Sequence, residues 1–412
     1  MAPRIHRPAI LRPVRRWMSG AAAIVLAGPV ATAQSTGPIA DDGSATGFLP
    51  RHFPALFDDE DGMLDLSERL DQAYGFFPLV SPITEPAVGT GAAFVPLFID
   101  QPEDKGARPN LWALGAMATN NGSRGYFAAA SHYFDGDKWH VHGAAADISV
   151  NLDFNGLGSI ANPSGNPLRY NLEMTGGSIG ADRRIGDTKW RAGLRYLYGE
   201  VTPSLDFAGD LTSVGSPGFI SRFGTFDFST TISSLQAALI YDSRDNVFTP
   251  TRGIFSELNL GANLTFLGGS TSYQTLAWTG IWYRPVVEDC LYFGWRGDVS
   301  LSFGSVPLYL RPSVSLRGVP ARSAQGVGVA STEAELRWQF HPRWSVLAFA
   351  GLGVAWPDKD ALFQDTKSVA SGGAGLRYLI ARRQGIHAGI DVAFSDGESA
   401  VYLQFGSSWF RP

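Results

Sequence analysis

Across the C-terminal half of the chain, apolar and polar residues alternate over segments of ten to thirteen positions. In 291–303, Leu291, Phe293, Trp295, Val299, Leu301 and Phe303 oppose Tyr292, Arg296, Asp298, Ser300 and Ser302. In 254–266, Ile254, Leu258, Leu260, Ala262, Leu264 and Phe266 oppose Glu257, Asn259, Asn263 and Thr265. In 386–395, Ile386, Ala388, Ile390, Val392 and Phe394 oppose His387, Asp391 and Ser395. A period of two residues predicts one-sided β-strands. Strands of soluble sandwiches run about five or six residues, whereas a strand crossing a bilayer at a steep tilt needs about 9–11. The alternation here persists for the longer distance. Aromatic residues near the predicted strand ends (Trp282, Tyr283, Trp344, Trp356, Trp409, Phe410) suit interfacial girdles. Backbone N–H and C=O groups in lipid must all be paired, and with strands only a closed barrel does that.

Candidate strands fall near 89–98, 110–119, 123–134, 138–150, 168–184, 190–200, 232–242, 253–267, 271–285, 291–304, 331–340, 344–356, 369–381, 385–396 and 400–410. These are fifteen, and the weakly patterned stretch 145–185 has room for one more. Single-chain bacterial barrels favour even numbers. The sequence therefore predicts an all-β fold: a transmembrane antiparallel β-barrel of sixteen strands over residues 89–412, with a long Gly-rich loop at about 305–330.

The beginning of the chain differs in kind. Arg4, Arg7, Arg12, Arg15 and Arg16 precede a short apolar stretch that ends in Ala31-Thr32-Ala33, the pattern of a cleaved secretory signal over 1–33. Its removal leaves 28 basic residues against 38 acidic ones, a net charge near −10. So acidic a chain lacks the electrostatic footprint of a nucleic-acid binder. The single Cys290 excludes an internal disulfide. No apolar run of about eighteen residues follows the signal, so no helical span is expected.

Residues 34–88 read as a flexible linker and a short periplasmic or plug segment, too small for an independent domain. Within it, Asp59, Asp61, Gly62, Asp65 and Glu68 fall on calcium-loop positions, but Phe57 stands where the first ligand belongs. A solvated acidic turn before a short helix is the preferred reading.

Three motifs carry a family resemblance. "LRGVPARSAQG" at 316–326 is followed by "EAELRW" at 333–338 and "WSVLAFAGLG" at 344–353. "YDSRDNVFTPTRG" at 241–253 contributes Asp242, Arg244, Asp245, Asn246, Pro250 and Gly253 to an Asp-x-Arg-Asp-Asn…Pro-x-x-Gly turn. The chain closes on an aromatic-ended strand, "VYLQFGSSWF". Together these resemble the BamA/TamA family of bacterial surface-antigen barrels, and the segment 74–91 resembles the opening of members that lack POTRA domains. The resemblance implies that the loop folds into the barrel and that Arg317, beside Gly318, pairs with acids of the wall. Glu335 is the nearest by motif, with Glu333 on the same polar face. Two positions depart from the pattern: Val319 replaces an aromatic, and Gly351 stands where an aspartate is usual. Asp391, also predicted to face the lumen, is a substitute partner.

The same resemblance implies a bacterial outer-membrane location and a role in inserting other proteins into the membrane or passing them across it. The partners it implies are outer-membrane lipid and either client outer-membrane proteins or a separate periplasmic partner. The route would be a soft seam between the first and last strands. Pro96 in "GAAFVPLFID" removes a ladder donor from the candidate first strand, and Gly406 and Phe410 sit near the end of the last one. A plugged pore or a structural barrel is the alternative, since Glu257, Arg296, Asp298, Glu333, Glu335, Arg337, Arg377 and Asp391 would line a wet lumen of mixed charge. No enzyme, cofactor or metal site is expected. His140 and His142 share a strand face, but the sequence identifies no third ligand and no catalytic constellation.

Overall fold

The computed structural model describes residues 56–72, 76–84, 88–100, 108–154, 156–157, 160–161, 168–205, 229–356 and 366–411. The expected signal peptide and most of the expected linker lie outside the described residues. Sixteen strands form one antiparallel sheet. They are β1 (Phe76–Ile83), β2 (Gly91–Asp100), β3 (Asn110–Thr119), β4 (Arg124–Phe134) and β5 (Trp139–Phe154), then β8 (Leu168–Arg184), β9 (Trp190–Leu205), β10 (Thr230–Asp242), β11 (Gly253–Asn263) and β12 (Tyr273–Val287). They continue with β13 (Leu291–Gly304), β14 (Gly328–Gln339), β15 (Trp344–Trp356), β16 (Lys367–Ala381), β17 (Ile386–Ser395) and β18 (Glu398–Phe405). Two short strands, β6 (Gly156–Leu157) and β7 (Ile160–Ala161), form a separate hairpin between β5 and β8.

Each strand of this sheet pairs with the strand that follows it in the sheet, with only the β6–β7 hairpin set aside between β5 and β8. The sheet is thus an up-and-down meander that curls until β1 approaches β18. The short turns, such as 135–138, 288–290 and 340–343, share one end, which in such barrels is the periplasmic one. Large apolar side chains, among them Leu114, Ile179, Leu194 and Leu352, stand exposed at alternate positions, as a lipid-facing exterior requires. Phe134, Trp139, Trp190, Trp282, Trp338 and Phe340 are exposed near the periplasmic strand ends and form a girdle there. Tyr283, Trp356 and Trp409, expected in interfacial girdles, are buried instead.

The strand number matches the sequence reading, but the sixteenth strand lies elsewhere than expected. Among the described residues, the stretch 145–185 contains no extra barrel strand, because β5 and β8 are long and already counted. The missing one is Phe76–Ile83, so the barrel begins at residue 76 rather than 89. Two prolines in eight residues hid it from a pattern search, since proline is rare inside sheets. The last strand ends at Phe405 rather than 410.

Candidate functional site

The loop between β13 and β14 carries Arg317 against the inner wall. Its guanidinium donates to Glu333 Oε1 through Nε at 2.5 Å, lies 2.9 Å from Glu335 Oε2, and reaches Asp391 Oδ2 at 2.8 Å. Nη1 also donates to Ser408 Oγ at 2.9 Å. The face of the guanidinium rests 3.5 Å from the centroid of the Phe349 ring, a cation–π contact. Glu333 and Asp391 are almost wholly buried. The alternation of β14 explains the acid pair: Glu333 and Glu335 share the face opposite the exposed Leu336 and Trp338.

All five lock residues named from the sequence are therefore brought together, with Glu333 as well as Glu335 at the arginine. Asp391 supplies a third carboxylate to Arg317, and the Leu316 side chain approaches Gly351 so closely that a Cβ there would stand 3.0 Å from its Cδ2. Gly318 adopts φ +86°, and a Cβ would meet Ala393 and the Phe394 backbone at 3.1 Å, so glycine is required. Its N–H donates to Tyr402 Oη at 2.7 Å. Val319 joins Val314, Leu316, Ala324, Val329, Ala355 and Val369 in an apolar cluster under the loop.

Sequence reasoning missed Phe349, Tyr402 and Ser408, and it placed Arg377 in the lumen without a role. Arg377 holds the same carboxylate as Arg317, at 2.6 Å to Oδ1 and 2.9 Å to Oδ2 of Asp391. A readable signal existed in the glycines. Gly375 pairs with Asp391 across β16 and β17, and a Cβ there would collide with the Asp391 carboxylate.

The 241–253 turn is a bracket across the periplasmic mouth. Asp242 accepts from the Arg244 side chain at 2.7 and 3.0 Å and from Arg108 at 2.9 Å. Asp245 accepts from the backbone N–H groups of Thr251 and Arg252, and Asn246 from those of Phe248 and Thr249. Pro250 is buried within this turn. Gly253 has φ +108°, and a Cβ would stand 2.4 Å from the Ser243 carbonyl. The turn also reaches distant elements. Asn246 donates to the Gln384 carbonyl at 2.9 Å, and Arg244 to the Arg411 carbonyl at 2.8 Å. Phe248 accepts from the Ser407 N–H at 2.6 Å.

The tail after β18 turns inward. Gly406, at φ +78° and pressed against the Phe248 carbonyl, makes the bend. Tyr283 Oη and Ser407 Oγ hydrogen-bond at 2.8 Å, and Trp409 is buried against Tyr283. Phe410 stacks on Phe248. Gly406 and Phe410 were expected at the seam; they belong instead to this inward tail.

The seam itself lies between β1 and β18. Among the described residues no ladder register joins these strands. Pro96 is not in the first strand but in β2, directly opposite Pro78 of β1. Neither proline can donate, so this cannot be a hydrogen-bonded pair, and Pro78 turns its imino side away from β2. Pro82, four residues on, turns the same way. Both therefore remove donors from the edge facing β18. Pro96 in turn faces β3, where the register skips Val95 and Pro96. Thr84 Oγ1 bridges the two edges, donating to the Val401 carbonyl at 2.9 Å and accepting from its N–H at 3.3 Å. At the periplasmic end Phe77 stacks on Phe405, with 4.6 Å between centroids.

The acidic stretch before β1 is not merely solvated. Asp58, Asp61 and Asp65 surround Arg343, in the turn between β14 and β15, at 2.9, 2.6 and 2.6 Å. The hydrogen bond from Arg343 holds Asp61 below its ordinary carboxylate value. Burial pushes Asp65 up, but hydrogen bonds from Ser67 and Arg343 outweigh it and leave it lowered. The segment is thus clasped to the periplasmic rim, ahead of the helix Ser67–Gln72.

The Omp85 superfamily domain matches residues 113–382, well over half of the chain. The fold is similar to that of CdiB from Escherichia coli, at 13% identity and a TM-score of 0.54 over 86% of this chain and 73% of that one. It is also similar to CdiB from Acinetobacter baumannii, at 9% identity and a TM-score of 0.51 over 82% and 66%. BamA from Haemophilus ducreyi lacking POTRA domains 1–3 aligns at 13% identity and a TM-score of 0.49 over 85% and 80%. No curated protein matches the sequence. A sixteen-stranded meander, an apolar exterior and a family match spanning most of the sheet lead to one conclusion: this chain belongs to the Omp85 superfamily and is a bacterial outer-membrane β-barrel.

Proposed function

We propose that this barrel aids the insertion or passage of other proteins through the seam between β1 and β18, without enzymatic activity of its own. The observation that carries the reading is the proline-stripped edge of β1. An antiparallel edge that cannot donate at Pro78 and Pro82 cannot zip fully onto β18, so the two strands part at lower cost than any other neighbouring pair. A parted seam offers unpaired backbone groups to an incoming client strand and opens the lumen toward lipid. The partners on this reading are outer-membrane lipid, client outer-membrane proteins and a separate periplasmic protein that delivers them.

A staple tests it. Thr84→Cys with Val401→Cys sets two thiols where Thr84 already touches the Val401 backbone. In a strain lacking the chromosomal gene, the wild-type barrel restores the outer-membrane proteome, whereas the oxidised staple does so only after a reductant is added. Equal restoration by the oxidised staple would sink the proposal.

A second reading, a plugged pore, is favoured by the tail and the arginine loop in the lumen. It predicts no client loss on gene deletion and measurable ion flux.

A further inference from the structure

His140 and His142 alternate on the inner face of β5, near the periplasmic rim, with exposed Trp139 and Val141 on the outer face. Across the ladder, His140 pairs with Asp182 of β8 and His142 with Gly180. This supplies the third group that the sequence could not identify. Asp182 Oδ2 lies 3.1 Å from His140 Nδ1 and 3.2 Å from His142 Nε2. All three ligand atoms fall within 4.8 Å of one another.

Around an ion with bonds of about 2.0–2.2 Å, tetrahedral ligand atoms stand about 3.3 Å apart. Both carboxylate–imidazole separations are already close to that value. The second nitrogen of His140 is engaged as well: Nε2 lies 2.8 Å from Ser131 Oγ. Such a partner fixes the ring and, when Nε2 carries the proton, leaves Nδ1 free to ligate. The Tyr133 ring stacks on His140 at 4.2 Å and holds its plane.

The backbone is cleared for these side chains. A Cβ at Gly180 would stand 2.7 Å from His142 Nε2, and one at Gly193 would overlap Asp182 Oδ1. The nearby Arg191 would oppose a cation, but its charge is matched by Asp137 at 2.7 Å.

We propose that His140, His142 and Asp182 form a lumen-facing site for a divalent transition metal, with zinc as the best fit to two imidazoles and one carboxylate. Ser131 orients His140 within it. The ion would clip β5 to β8 at the periplasmic mouth and keep a fourth position open to the lumen. Ser131, His140 and Asp182 also form a hydrogen-bonded chain of the kind hydrolases use. Two features favour the metal: Ser131 is buried, and His142 converges on the same carboxylate oxygen, which a triad does not need.

The test uses the full chain in detergent, stripped with chelator and titrated with cobalt(II), then with zinc(II). One ion per chain is expected, with tetrahedral cobalt absorption that zinc displaces. His142→Ala abolishes this absorption, and Gly180→Ala, which pushes the His142 ring aside, weakens binding by about tenfold or more. Heat-modifiable gel migration establishes that each variant barrel is folded. The proposal is overturned if stripped wild-type protein binds no stoichiometric ion, a result that needs no variant. It is equally overturned if a folded His142→Ala barrel binds as well as wild type. Labelling of Ser131 by a fluorophosphonate in a manner dependent on His140 would also overturn it, in favour of a hydrolytic triad.

Discussion

One guanidinium, that of Arg317, meets three carboxylates and a serine hydroxyl inside the barrel. The energy of such a cluster is asymmetric. Desolvation offsets much of the attraction, so the intact set adds little net stability, but removing the cation leaves Glu333 and Glu335 buried without it and Asp391 held by Arg377 alone. Arg317→Ala should therefore cost about 3–5 kcal/mol, the range for breaking one side of a buried pair. The expected outcome is new protease cleavage within 305–330 in intact cells, from a barrel that still migrates as folded. Unchanged protection of that loop would dismiss the lock. Because Ser408 bonds both Arg317 and Asp391, the same substitution also loosens the tail that follows the seam strand.

At the scale of elements, proline and charge decide which edges stay closed. β1 is held by its full register with β2, whereas toward β18 it has the Thr84 bridge and the Phe77–Phe405 stack. Ahead of β1, the clasp on Arg343 depends on pH in a direction that the carboxylates set. Asp61 and Asp65 are depressed below 3.8 in the folded protein. Their contribution is thus present above the unfolded value and lost as pH falls through the lower folded values. The strap 56–72 is expected to stay docked at neutral pH and to become accessible to an acid-active protease below about pH 4. Arg343→Ala should make it accessible at neutral pH as well. A strap equally protected at every pH and in the variant would rule out the clasp.

For the whole molecule, the lumen is occupied from both ends. The 314–319 segment lies on the wall of β14 to β18, and the tail 406–411 crosses near the periplasmic mouth toward Tyr283 and the 241–253 bracket. In planar bilayers the intact protein should conduct weakly and flicker. Replacing Trp409 and Phe410 together by alanine removes the aromatic anchors of the tail, and conductance should rise several-fold. If the double variant conducts no better than wild type, the tail is not the plug.

Period-two alternation is a local property, and it alone determined the class: strands too long for a sandwich, fifteen of them close to where they form, in an exported acidic chain. The loop arginine and its acids were legible because motif and strand face both pointed to them. What alternation could not reveal were features that break it. β1 escaped notice because prolines are rare in strands; here they lie where an edge needs no donor. Trp409 looked like a membrane anchor, since an aromatic at a strand end suits lipid and interior alike, and only the bend at Gly406 sent it inward. Asp182 lies 40 or more positions from the two histidines, and only the β5–β8 register brings them together. Burial and alternation are written along the chain, whereas partners across a curled sheet are fixed by curvature and register, which no stretch of sequence carries by itself.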